Sequence, residues 1–257
     1  MKRNIHMGFR AWRSLRHLAV SLCGVGTGLS VVVSAQSRPD VLWENGGHAD
    51  NLSAVAFAPD GRWAASGSWD DTVKLWDVAN GNLLRTFLHP DDVEGIAISP
   101  DGTMLAAGDD HRDVRVWRVA DGTLLATLQG HSDWVRGVAF SPDGKLLATA
   151  SDDTQVVLWR VADWTELRRM TGHSDVVPAV AFSPDGTHLA SACWDNTIKL
   201  WRVADGTLVR SFTHPDDVEC IAFSTDGALL AAGDDNNEVR LWNVSTGALV
   251  RTLKGHS

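Results

Sequence analysis

The sequence predicts an all-β protein built as an array of repeated four-stranded antiparallel units. Three observations carry that prediction. Trp76, Trp117, Trp159, Trp201 and Trp242 recur at intervals of 41, 42, 42 and 41 residues. His48, His89, His131, His173 and His214 each precede one of these tryptophans by 28 residues, and His256 opens a further unit. Within every interval, short apolar runs alternate with turn-forming residues and leave almost no room for a helix. A fixed period of this length marks a repeat architecture, in which one supersecondary unit is copied and the copies bury one another.

The third copy, residues 131–172, shows how each element arises. Val138-Ala139-Phe140 is a short apolar strand. Ser141-Pro142-Asp143-Gly144 then turns the chain, because proline presets φ and glycine accepts a positive φ. Lys145 to Thr149 is a second strand, Asp152 and Asp153 make the next turn, and Val156-Val157-Leu158-Trp159 is a third strand. Ala162-Asp163 turns again, Trp164 standing where other copies have Gly122 and Gly206, and a fourth strand ends near Thr171. The remaining copies run over 48–88, 89–130, 173–213 and 214–255, with a sixth opened at 255–257. A lone four-stranded unit buries too little apolar surface to stand alone, so the copies must stack face to face.

The copies are not equally related. His89-Pro90-Asp91-Asp92-Val93-Glu94 returns verbatim as His214-Pro215-Asp216-Asp217-Val218-Glu219, an offset of 125. Ala106 to Asp110 returns as Ala231 to Asp235, and Trp69-Asp70 as Trp194-Asp195. The array reads as a duplicated three-copy cassette whose second half stops at the opening of its third member.

Gly130-His131, Gly172-His173 and Gly255-His256 at repeat starts, with Leu75-Trp76-Asp77 at a repeat end, resemble the WD40 family. Later copies depart from the Trp-Asp pair, reading Trp117-Arg118, Trp159-Arg160, Trp201-Arg202 and Trp242-Asn243. The resemblance covers roughly 47–257 and implies a β-propeller of four-stranded blades around a central channel. Five blades are expected, in an incomplete propeller. Val41-Leu42-Trp43-Glu44, within a lead-in at 36–46, reads as an outer strand that would complete the last blade. A five-bladed ring, or an array completed by another chain, stays open as an alternative. An open array would leave an unpaired edge that favours self-association.

The resemblance further implies a structural hydrogen-bond set in each blade. In the first it would be His48, Ser66, Asp70 and Trp76; in the third, His131, Thr149, Asp153 and Trp159; in the fourth, His173, Ser191, Asp195 and Trp201. A buried indole and imidazole need partners, and a hydroxyl plus a carboxylate supply them. A catalytic triad has the same ingredients, but it occurs once and needs an oxyanion hole, whereas this set is stamped three times. No catalytic, cofactor or metal residues are expected. Copies two and five break the pattern, with Ala107 and Ala232 for the hydroxyl and His111 and Asn236 for the aspartate.

Residues 1–35 differ from the rest. Lys2, Arg3, Arg10, Arg13 and Arg16 form a cationic segment without acidic residues, Leu18 to Ala35 is mostly apolar or small, and Val33-Ser34-Ala35 fits a cleavage site before Gln36. This predicts a secretory signal peptide and a secreted or periplasmic protein, with an uncleaved membrane anchor as the alternative. Removing the leader's five basic residues lowers the 23 basic residues to 18 against 32 acidic ones, a net charge of −14. That balance disfavours nucleic acid and anionic lipid and favours a protein or peptide partner, by charge a basic one. Cys193 and Cys220 remain, able to pair in an oxidising compartment if adjacent blades bring them together, though two cysteines are too few for a zinc site.

The family's top face is built from the loop before the first strand and the turn after the second. The matching residues here are Trp69, Asp92, Glu94, Asp110, Trp134, Arg136, Asp152, Trp194, Asp217, Glu219 and Asp235. Tryptophans in polar turns among charged neighbours are typical interface anchors. The expected function is a non-catalytic protein–protein interaction scaffold, with a fragment of a larger regulatory protein and a propeller enzyme as alternatives.

Overall fold

The computed structural model describes residues 46–255, which form five four-stranded antiparallel sheets, each paired in chain order. The first blade holds β1 (Leu52–Phe57), β2 (Trp63–Ser68), β3 (Thr72–Asp77) and β4 (Leu83–Leu88). The second holds β5 (Val93–Ile98), β6 (Met104–Asp109), β7 (Asp113–Arg118) and β8 (Leu124–Gln129). The third holds β9 (Val135–Phe140), β10 (Leu146–Ser151), β11 (Val156–Arg160) and β12 (Thr165–Met170). The fourth holds β13 (Ala179–Phe182), β14 (His188–Cys193), β15 (Thr197–Arg202) and β16 (Leu208–Thr213). The fifth holds β17 (Val218–Phe223), β18 (Leu229–Asp234), β19 (Glu238–Asn243) and β20 (Leu249–Lys254). The leader at 1–35, the strand expected at Val41–Glu44 and His256 lie outside the described residues. No helix of the described residues is long and apolar enough to cross a membrane.

Turn chemistry fixes each hairpin. Ser141 Oγ donates to Asp143 and accepts from the Leu146 amide, and Gly144 closes the turn at φ 70°. The turn between the second and third strands needs a left-handed residue in every copy, and none is glycine: Asp71, Arg112, Thr154, Asn196 and Asn237 all have φ between 61° and 72°. Trp164 likewise adopts φ 58°, where Gly122 and Gly206 adopt 78° and 75°.

The first strands of successive blades, β1, β5, β9, β13 and β17, pack side by side and form the inner lining. Their approach is close. A Cβ added at Gly95 would stand 2.0 Å from the Arg136 carbonyl oxygen, so only glycine fits there. Ala54, Gly95, Arg136 and Val180, from four different blades, line one narrow central cavity.

Four apolar cores lie between consecutive blades, as the stacking argument requires. Each is made from one blade's forward face and the next blade's rear face. Ala65, Val73, Leu75 and Phe87 meet Val93, Ile96, Leu105 and Trp117 in the first of them. The equivalent forward face of the fifth blade, Ala231, Val239, Leu241 and Leu253, is partly or largely exposed. Leu253 is 44 % exposed, against 2 % for its counterpart Phe212. At the other end Phe57 is 46 % exposed, against 0 % for Phe182. No packing comparable to that between neighbouring inner strands joins β17 to β1 among the described residues.

Candidate functional site

Each blade is pinned internally before it offers a surface. In the third blade the Trp159 indole can only donate, and it donates to Thr149 Oγ1 at 2.9 Å. That hydroxyl donates to His131 Nε2 at 2.7 Å, which leaves the imidazole as the Nδ1–H form, donating to Asp153 at 2.9 Å. The fourth blade repeats the chain through Trp201, Ser191, His173 and Asp195 at 2.8, 2.7 and 2.9 Å. The first repeats it through Trp76, Ser66, His48 and Asp70 at 2.7, 2.7 and 3.0 Å. Burial opposes ionisation of these aspartates, but hydrogen bonds from Thr72, Ala49 and His48 hold Asp70 down to about 2. Asp153 and Asp195 are likewise held below the usual carboxylate range. Burial pushes His173 the other way, toward the neutral form. Thr149 and Ser191 are completely buried, so a substrate cannot reach these hydroxyls. The triad-like sets therefore lack the access a nucleophile needs.

Copies two and five, which have Ala107 and Ala232 for the hydroxyl and His111 and Asn236 for the turn aspartate, hold their histidines through a different carboxylate. Asp109 and Asp234, placed where blades one and three have Ser68 and Ser151, take over as acceptors of His89 and His214, at 2.9 and 3.4 Å. With alanine at the hydroxyl position the imidazole moves toward the indole. Ring centroids of His89 and Trp117 are 4.8 Å apart, against 6.2 Å for His173 and Trp201. In the fifth blade Trp242 Nε1 donates directly to His214 Nε2 at 2.9 Å. The aspartates were visible in the repeated Gly-Asp-Asp run, but nothing in their spacing marked them as replacements.

The two cysteines are free thiols. Cys193 occupies the place of Ser68 and Ser151, where its Sγ donates to the Asp175 carbonyl and accepts the Asp195 amide, both at 3.2 Å. Burial raises its thiol to about 12, so it stays protonated. His173, Cys193 and Asp195 offer ligand atoms within 4.8 Å of one another, but both nitrogens of His173 are already engaged in the pin.

The eleven top-face residues read from the sequence all fall on one rim. A backbone hydrogen bond repeated in each blade places eight of them: the amides of Trp69, Asp110, Asp152, Trp194 and Asp235 donate to the carbonyls of Asn51, Asp92, Trp134, Val176 and Asp217, at 3.0 to 3.1 Å. A second ring, Ser53, Glu94, Arg136, Pro178 and Glu219, sits one strand step inward at the starts of the inner strands.

Arg136 is the hub where these rings meet. Its guanidinium forks onto Asp152 at 2.5 and 2.9 Å and lies 3.6 Å from Glu94. It also lies 5.3 Å from the Trp134 ring and 5.5 Å from the Trp194 ring, within cation–π range of both. Burial alone would lower its basicity, but Asp152, Glu94 and Asp110 more than compensate and hold it charged. Trp134 and Trp194 thus pack against the arginine from two blades. Glu219, across the rim, is raised to about 7 by burial and by Asp235, with Arg136 and Trp194 acting in opposition. In the sequence Arg136 is one rim residue among many; only the fold makes it the point where three blades converge.

A family model described as "IFT122 first beta-propeller" matches residues 92–257, well over half the chain, and one described as "WD domain, G-beta repeat" matches 40–77. Among characterised proteins, "Target of rapamycin complex subunit wat1" of Schizosaccharomyces pombe is 44 % identical over 43 residues, 17 % of this chain and 14 % of that protein. "Ribosome assembly protein 4" of Saccharomyces cerevisiae is 46 % identical over 41 residues, 16 % of this chain and 8 % of that one. "U3 small nucleolar RNA-associated protein 21" of the same yeast is 36 % identical over 56 residues, 22 % and 6 % respectively. The matched segments are thus one to one-and-a-half repeats long and span a small part of each relative. With five four-stranded blades, a repeated histidine–hydroxyl–tryptophan pin and a family match over most of its length, the chain belongs to the WD40-repeat β-propeller family.

Proposed function

We propose that the chain is a non-catalytic scaffold that docks a protein or peptide partner on the rim around Arg136. The observation that carries this reading is the convergence of Trp134, Arg136, Asp152, Trp194 and Glu94 from three blades on one half-buried, strongly polar surface. Aromatic and arginine side chains held rigid at the centre of a polar ring are what anchor protein interfaces. The acidic balance favours a basic partner over nucleic acid, whose phosphates it would repel. One relative is named as a subunit of a complex and another as an assembly protein, which accords with an interaction role.

The test is affinity capture followed by mass spectrometry with the wild type and a Trp69→Ala/Trp194→Ala variant. The expected result is a set of proteins retained by the wild type and lost by a variant that still melts cooperatively. Equal retention by both would remove the rim as the docking site. The cationic, then apolar, segment at 1–35 further supports export, for which amino-terminal sequencing should find Gln36 as the first residue of the mature chain.

A further inference from the structure

On the face opposite the rim, an arginine ties one blade to the next. Arg85 of β4 donates to the carbonyls of Asp121 and Ala120 in the following blade's hairpin turn, at 2.9 and 3.3 Å. Arg168 of β12 donates to the Ala204 carbonyl, and Arg210 of β16 to those of Thr246 and Ser245, both at 3.0 Å. The three arginines hold one position, because each pairs with the leucine before its blade's core tryptophan: Arg85 with Leu75, Arg168 with Leu158 and Arg210 with Leu200. Each turn they reach carries a glycine with positive φ: Gly122, Gly206 and Gly247. A Cβ added at Gly122 would stand 2.8 Å from Arg85 Nη1, so a side chain there would push the guanidinium off its carbonyls.

The joint between the second and third blades departs from this pattern on both sides at once. The arginine position holds Ala126, opposite Val116, and the glycine position holds Trp164. Trp164 closes its turn through the same backbone bond as the glycines, its amide donating to the Arg160 carbonyl at 2.8 Å. Ala126 and Trp164 both pack against the apolar core between these two blades. Each half needs the other. An arginine reaches the turn carbonyls only past a bare glycine, and an indole in the turn fits only beside a short residue.

This joint also distinguishes two blades that are otherwise close copies. The second blade presents Val114, Val116 and Leu128 to the third, and 125 residues on these become Val239, Leu241 and Leu253, still apolar. Ala126 instead becomes Arg251. Apolar burial is non-directional, so during folding the apolar face alone gives the third blade little to choose between the second and the fifth. We propose that Ala126 and Trp164 form a joint that excludes the arginine latch and thereby seats the third blade on the second rather than on its near copy, the fifth. Tandem copies of one unit misassemble readily, and a contact that only one copy satisfies is the device that prevents it. It also accounts for a bulky residue held at φ 58°, where its counterparts are glycine.

The test is a cycle of wild type, Ala126→Arg, Trp164→Gly and the double variant, each in the full chain, read by thermal melting and by refolding from urea. Ala126→Arg should leave or lower the melting temperature beside Trp164, but raise it by about 2–4 °C in the Trp164→Gly background. Relief of backbone strain by Trp164→Gly is common to both members of that background and cancels. The same joint built one boundary on should behave alike, Arg168→Ala/Gly206→Trp melting above Gly206→Trp alone. The double variant, its third blade now accepting an arginine-bearing neighbour, should return about half as much native protein as wild type or less, followed by near-ultraviolet circular dichroism. Ala126→Arg being as favourable beside Trp164 as without it, or Gly206→Trp gaining nothing from Arg168→Ala, overturns the exclusive joint. The expected coupling with undiminished refolding overturns its role in seating the blade.

Discussion

Trp242 hands its indole proton straight to His214, 2.9 Å away, whereas Trp159 reaches His131 only through the hydroxyl of Thr149. One fold therefore contains two solutions to the same problem, satisfying a buried indole and imidazole. The hydroxyl version places its carboxylate in the turn, at Asp153, and the direct version places it at the end of the strand, at Asp234.

The two solutions should be interchangeable as sets and costly as mixtures. Thr149→Ala alone leaves Trp159 and His131 short of partners and should cost about 1–3 kcal/mol in chemical denaturation. Adding Ser151→Asp and Asp153→Asn installs the fifth blade's arrangement and should recover about 1 kcal/mol or more of that loss. Simple accumulation of the three losses would show that the direct arrangement depends on something else in its blade.

The inter-blade cores make equivalent leucines unequal. Leu158 is completely buried between the third and fourth blades, so Leu158→Ala should cost about 2–5 kcal/mol. Leu241, its counterpart on the fifth blade, is only partly buried, and Leu241→Ala should cost less than half as much. Equal losses in urea denaturation would mean that Leu241 is covered in solution.

Glu219 and the pinned aspartates push stability in opposite directions with pH. Glu219 has a folded value raised to about 7, so its contribution is full below its ordinary range and is lost as pH rises toward 7. Asp70 is lowered to about 2, so its contribution is present above its ordinary value and is lost as the pH falls through it. Glu219→Gln should therefore flatten the decline in melting temperature between pH 5 and 8 and leave the acid limb unchanged. A wild-type decline that persists in the variant would place its source in another group.

Left-handed backbone at a β-branched residue is a stored strain. Thr154 adopts φ 70° where the fourth and fifth blades use Asn196 and Asn237. Asparagine tolerates this region far better, so Thr154→Asn should stabilise the chain by about 0.5–1 kcal/mol. A neutral or destabilising result in thermal melts would show that the threonine makes a compensating contact.

Much of this was legible in the residues because a repeat states the same message several times. The tryptophan period, the Ser-Pro-Asp-Gly turn and the apolar triplet Val138-Ala139-Phe140 each have local physical meaning, and together they placed the strands of every blade. What escaped notice was whatever depends on a neighbour far along the chain. Asp109 reads as one of two adjacent aspartates until the fold sets it 2.9 Å from His89. Trp194 reads as a spare surface aromatic until the fold brings Arg136, 58 residues earlier in the chain, to its ring across a blade boundary. Side-chain partnership across blades has no signature in local spacing.

The central claim is that a protein partner docks on the rim around Arg136. Hydrogen exchange of the chain, alone and with a partner recovered by capture, tests it most directly. The account predicts slowed exchange at the amides between 51 and 53, 92 and 94, 134 and 136, and 217 and 219, with the hairpins around Asn80, Asp121 and Trp164 unchanged. Slowing at those opposite hairpins, with the rim unaffected, would contradict it.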